Sequence, residues 1–118
     1  MKRLSDIGEC ELIDTLATLL PGRPDVAQGI GDDCAVVHAG DSSKDWLLTS
    51  DAVIDGIHFE SPVDPELIGR KAIARTLSDI AAMGGRPDWI LTNLVAPPDR
   101  PVADIEAVYR GASRMAGA

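Results

Sequence analysis

Three short acidic segments lie against the most apolar stretches of this chain, each placing a carboxylate where a fold would otherwise bury hydrocarbon. They are Gly29-Ile30-Gly31-Asp32-Asp33-Cys34-Ala35, then Thr49-Ser50-Asp51, then Leu77-Ser78-Asp79-Ile80-Ala81-Ala82-Met83-Gly84. Burying an unpaired charge is very costly, so each carboxylate needs a compensating partner. No nearby run of Lys or Arg supplies that compensation three times over. Hard divalent cations do, because Mg²⁺ favours a few carboxylates together with waters and substrate phosphates. The pattern points to a magnesium-dependent phosphoryl-transfer site.

The frame around these segments is modest. At 118 residues the chain is about one domain long. Trp46, Trp89, Tyr109 and Phe59 are its only aromatic residues, so the core has to be built from Ile, Leu, Val and Ala. A formal net charge of −8 argues against nucleic acid or an anionic membrane as a partner, since both need a positive surface. Phosphorylated ligands stay compatible with it if metal ions invert the local sign. Cys10 and Cys34 form no CxxC pair, so neither a zinc site nor a disulfide framework is indicated, and Cys34 reads as a small buried residue. The opening Met1-Lys2-Arg3-Leu4-Ser5-Asp6 lacks the apolar run expected of a signal peptide, and no stretch approaches the roughly 20 apolar residues that span a bilayer. The expected location is cytoplasmic.

Hydrophobic spacing organises the rest. Leu12, Ile13, Leu16, Leu19 and Leu20 predict a helix over 9–20, stopped by Pro21-Gly22. Strands are expected at 34–39 and 46–50, and a third, or a continuation past a bulge, at 52–59. Asp64-Pro65-Glu66 is a strong helix start, and Gly84-Gly85 offers its C-cap. An apolar strand is expected at 89–96. Pro101 then opens a last helix with Ile105, Val108, Tyr109, Ala112 and Met115 on one face. The order predicts an α+β fold, a sheet with helices packed on one face. The end of the chain so close to that helix suggests a fragment of a longer protein.

Each acidic segment also has a plainer explanation. Gly31-Asp32-Asp33 could be an ordinary turn with a local side-chain hydrogen bond. Thr49-Ser50-Asp51 could be a polar strand end; if it is a strand, Thr49 and Asp51 share a face. Asp79 could simply pair with Arg75 at i,i+4. Three such stations in one small chain favour metal, which requires Asp33, Asp51 and Asp79 to converge. His58, in Gly56-Ile57-His58-Phe59, is the weaker polar candidate, and His38 has no supporting context.

Taken together and in this order, the three motifs, with Gly56-Ile57-His58-Phe59 and the opening Gly8-Glu9-Cys10-Glu11-Leu12-Ile13, closely resemble the N-terminal domain of the thiamine-monophosphate kinase family. That family lies in the aminoimidazole-ribonucleotide synthetase-like superfamily, and the resemblance covers essentially the whole chain. It implies residues 1–118 as an N-terminal metal- and substrate-binding domain that dimerises through its sheet, with a C-terminal domain completing the site. It implies ATP-dependent phosphorylation of thiamine monophosphate to thiamine diphosphate, with Mg²⁺ ions. Asp33, Thr49, Ser50, Asp51 and Asp79 would then be metal ligands, with Asp32 as ligand or close neighbour. Asp33 and Gly31 would also face ATP, and His58 would face thiamine monophosphate. The chain departs from the family at Arg75-Thr76, where Val-Asn is common, and lacks the family's Gly-Gly-Asp-Thr segment. No residue is implied as a general base. The competing readings are another ATP-using enzyme of the same superfamily and a non-catalytic dimerisation or metal-binding module.

Overall fold

The structure, a computed structural model, describes residues 1–117; Ala118, the last residue of the expected domain, lies outside the described residues. The chain forms two compact units, Met1–Thr49 and Ser50–Ala118. The first holds helix α1 (Glu9–Ala17) and strands β1 (Val26–Gln28), β2 (Ala35–His38) and β3 (Asp45–Leu48). The second holds α2 (Pro65–Ala82) and α3 (Val102–Ala116). The class is α+β, as expected.

In the first unit the strands form an antiparallel meander in the order β1-β2-β3. Opposite one another on β2 and β3 stand Ala35 and Leu48, Val37 and Trp46, and His38 and Asp45. Since side chains alternate along a strand, Trp46 and Leu48 share one sheet face with Ala35 and Val37. Both large residues of that face are exposed, Trp46 at 44% and Leu48 at 56%. His38 gains the context its sequence lacked, a cross-strand contact from Nδ1 to Asp45 Oδ1 at 2.8 Å. Cys34 is 2% exposed, in keeping with its reading as a small buried residue. Helix α1 stops at Ala17 rather than at residue 20: Thr18 turns its hydroxyl back to the Thr15 carbonyl at 2.7 Å, leaving Leu19 and Leu20 outside.

The second unit follows its capping signals closely. Asp64 Oδ1 accepts the Glu66 N–H at 3.0 Å and Pro65 occupies the first turn of α2. At the other end the Gly85 N–H reaches the Ile80 carbonyl and the Gly84 N–H the Ala81 carbonyl, both at 3.0 Å, with Gly84 at φ +68°. This paired reversal satisfies the last carbonyls of the helix. The helices then cross with almost no side chain between them. A Cβ on Gly69 would meet the Val108 carbonyl oxygen at 1.8 Å, and one on Gly111 the Glu66 carbonyl oxygen at 2.0 Å. The contact face of α3 therefore centres on Ala107 and Gly111, both buried, while Tyr109 is 46% exposed. Glu66 ties the crossing, with Oε1 3.4 Å from Arg110 Nε and Oε2 2.5 Å from Arg114 Nη1.

Two expected strands are absent. Residues 52–59 fold back on themselves: the Ile57 and His58 N–H groups both donate to the Ile54 carbonyl, and Gly56, at φ +78°, donates to Phe59. One isolated bridge, Asp55 to Phe59, is all the pairing there. Segment 89–96 has no ladder among the described residues, with Leu91 99% and Val95 91% exposed. A continuous apolar run signals a tendency to be buried but does not supply a neighbouring strand. Thr92 Oγ1, 3.2 Å from the Tyr109 hydroxyl, holds this segment to α3.

The close crossing makes Gly69→Ala a clear test. Helix propensity alone favours Ala over Gly by about 0.8–1.0 kcal/mol. The added methyl meets backbone, which no rotamer change relieves, and overpacking costs about 1–3 kcal/mol. Urea unfolding should show a net loss of up to about 2 kcal/mol. A stabilised variant would mean that the helices do not pack this closely.

Candidate functional site

Helix α2 presents two different faces two residues apart, a rotation of about 200°. Gly69 and Ile73 are buried on one, and Lys71, Arg75 and Asp79 recur at i, i+4 and i+8 on the other. That second stripe holds the loop 51–59. Lys71 Nζ donates to the His58 carbonyl oxygen. Arg75 grips Asp51 with both arms of its guanidinium, Nε to Oδ2 at 2.9 Å and Nη2 to Oδ1 at 3.1 Å. The loop adds its own internal bonds: Ala52 N–H to Asp51 Oδ1 at 2.8 Å, and Ser61 hydroxyl to Asp55 Oδ2 at 2.8 Å.

His58 has a defined tautomer in this arrangement. The Ile54 N–H donates to its Nδ1 at 2.9 Å, so the neutral ring carries its proton on Nε2 and offers an N–H donor there. Asp51 is the electrostatic centre. The Arg75 hydrogen bonds hold its carboxyl below the usual carboxylate range; burial opposes this, and the Ala52 N–H and the charge of Arg75 reinforce it. Arg75 is pushed up in turn, chiefly by its hydrogen bonds to Asp51, with the Asp79 charge contributing. Asp51 and Asp79 therefore act on the same guanidinium. Beside its i,i+4 neighbour Asp79, Arg75 thus reaches a partner 24 residues away in sequence.

The other expected site residues belong to the first unit or its border. Gly31, at φ +114°, turns the chain before β2. Asp32 Oδ1 accepts the Asp33 N–H at 2.8 Å, the local turn bond that the plainer explanation anticipated, and both acids are exposed. Thr49 follows β3 and is half-buried, and Ser50 opens the second unit exposed. Among the described residues no three His, Cys, Asp or Glu side chains stand close enough to hold one metal ion. The donors are hard oxygens of the right kind for Mg²⁺. Within the second unit, Asp51 is engaged by Arg75. Sequence reasoning missed Lys71 and the contact of Arg75 with Asp51; the i, i+4, i+8 stripe was the available signal for the shared face.

The Asp51 shift gives a pH dependence of definite sign. Its folded pKa lies below its unfolded value, so its stabilisation is complete above about pH 3.9 and is lost as pH falls through the folded value. Asp51→Asn has no such proton to take up. The melting-temperature advantage of the unmodified chain over Asp51→Asn should hold above about pH 5 and shrink as pH falls from about 4 to about 2.5. An advantage that is constant over this range would contradict the ion pair.

Comparison with known proteins places the chain in a family. The family described as AIR synthase related protein, N-terminal domain, matches residues 31–118. A thiamine-monophosphate kinase of Aquifex aeolicus is 40% identical over 112 residues, covering 95% of this chain and 34% of the relative. Proteins of the same name from Synechococcus elongatus and Bacillus subtilis are each 35% identical, covering 96% and 92% of this chain and 33% of each relative. The chain thus spans about a third of the length of these curated relatives. No solved structure matches it. The chain belongs to the AIR synthase related protein family, through its N-terminal domain.

Proposed function

We propose that these residues serve a thiamine-monophosphate kinase, which transfers a phosphoryl group from ATP to thiamine monophosphate with Mg²⁺ as the required cation. The observation that carries this reading is the likeness to relatives of that name along at least 92% of the chain. Residues 1–118 act as its N-terminal domain, in the cytoplasm, with a C-terminal domain completing the ATP site. Asp33, Thr49, Ser50, Asp51 and Asp79, with Asp32, are assigned to metal, and Gly31 with Asp33 to ATP. No helix among the described residues is long and apolar enough to cross a membrane.

The chemistry suits the residue inventory. The acceptor is a phosphate monoester whose second pKa is about 6, so it is already an anion at neutral pH and needs no general base. The protein's task is positioning and charge control. The Nε2–H of His58 can donate to substrate, its direction fixed by the Ile54 N–H behind the ring. Lys71 holds the backbone of the same loop, so the donor is presented by α2 rather than by a free segment.

A second copy is the partner proposed for the sheet. Trp46 and Leu48 expose an apolar face that a two-fold dimer would bury. Leu48→Lys should then convert a dimer to a monomer in sedimentation velocity, and a chain that is already monomeric at micromolar concentration would refute the pairing.

Activity is tested in the protein extended by the C-terminal domain. Asp51→Asn should lower thiamine diphosphate formation at least about a hundredfold, the scale of removing a charge-organising group from a reacting site. The 118-residue chain alone should give no turnover. Full activity of Asp51→Asn would remove the assigned role.

A further inference from the structure

A bidentate guanidinium on the carboxylate assigned to metal is a competitor for that metal. We propose that Arg75 is a built-in plug on Asp51, which a divalent cation has to displace before it binds, so that Arg75 sets the cation concentration at which this site fills. The inference rests on the assignment of Asp51 as a cation ligand.

The geometry leaves little room for both. A carboxylate has about four lone-pair positions. Asp51 Oδ1 accepts from Arg75 Nη2 at 3.1 Å and from the Ala52 N–H at 2.8 Å, and Oδ2 accepts from Arg75 Nε at 2.9 Å. One position on Oδ2 remains, and a cation placed there would stand beside a guanidinium of the same sign. Bidentate contact also fixes the carboxylate plane, so the group cannot turn an open oxygen outward while Arg75 stays in place.

The plug is held at its root and free at its tip. Its Cα belongs to a helix pinned by the crossing at Gly69 and Gly111. Its side chain is 38% exposed and that of Asp51 26%, so the pair is open enough to exchange without unfolding. Half-exposed pairs of this kind are weak competitors, which makes the plug a threshold rather than a block.

The test is calorimetric titration of the 118-residue chain with Mn²⁺, and separately with Mg²⁺, at low ionic strength and without nucleotide. Arg75→Gln should bind Mn²⁺ about two- to fivefold more tightly, the range that loss of such a pair allows. Arg75→Lys keeps the charge but loses the fork, and should fall between the two. If Arg75→Gln fails to fold by circular dichroism, Arg75→Lys decides the matter by itself. Asp51→Asn should weaken binding at least about tenfold. Unchanged or weaker binding in both Arg75 variants, with Asp51→Asn impaired, would overturn the plug and leave the functional reading intact. Unimpaired binding in Asp51→Asn, or no binding by any form, would overturn both.

Discussion

The contact on which the second unit depends is the crossing of α2 and α3 through two glycines. With Gly69 against the Val108 carbonyl and Gly111 against the Glu66 carbonyl, the two backbones touch and the rotation of α2 is fixed. Fixing that rotation fixes everything the helix carries. Gly69 and Ile73 face inward, so Lys71, Arg75 and Asp79 must face the other way, where the loop 51–59 lies. A larger residue at either crossing point would separate the helices and free the stripe to turn. The loop would then lose both of its anchors, the Lys71 contact to the His58 carbonyl and the Arg75 fork on Asp51.

Charge is the second organising constraint. The chain is strongly acidic, and acceptor and donor of the proposed reaction both react through phosphate anions. An unscreened Asp51 would repel them. Among the described residues the cation meeting that carboxylate is Arg75, a group supplied by the chain itself. Such a partner keeps the loop ordered while no ligand is bound, and its modest strength leaves the carboxylate open to a better one.

Much of this was legible in the sequence where local rules act alone. The start of α2 at Asp64-Pro65-Glu66 and its end at Gly84-Gly85 follow from caps that need only neighbouring residues. The second and third strands of the meander follow from apolar runs ended by polar loops, although the short β1 escaped notice. Segments 52–59 and 89–96 were misread because an apolar pattern reports a preference for burial and says nothing about whether a ladder partner exists. The α3 face was read from its large residues, whereas the contact uses Ala107 and Gly111, which periodicity scales weight lightly. The Arg75 to Asp51 pair joins residues far apart in sequence, beyond any helical spacing rule. The motifs in which the acidic residues stand were fully visible; the company Asp51 keeps was not.

Under the proposed function, the α2 stripe and the loop it grips form the cation-binding edge of the second unit. Paramagnetic broadening by Mn²⁺ tests this most directly, read on the backbone amides of the isotopically labelled 118-residue chain. The account predicts that the first signals lost in the second unit are those of Asp51, its neighbour Ala52, and Asp79, with the Arg75 Nε–H resonance shifting as its bond to Asp51 breaks. Broadening centred instead on the exposed acids of α3, with Asp51 and Arg75 unperturbed at saturating metal, would contradict it.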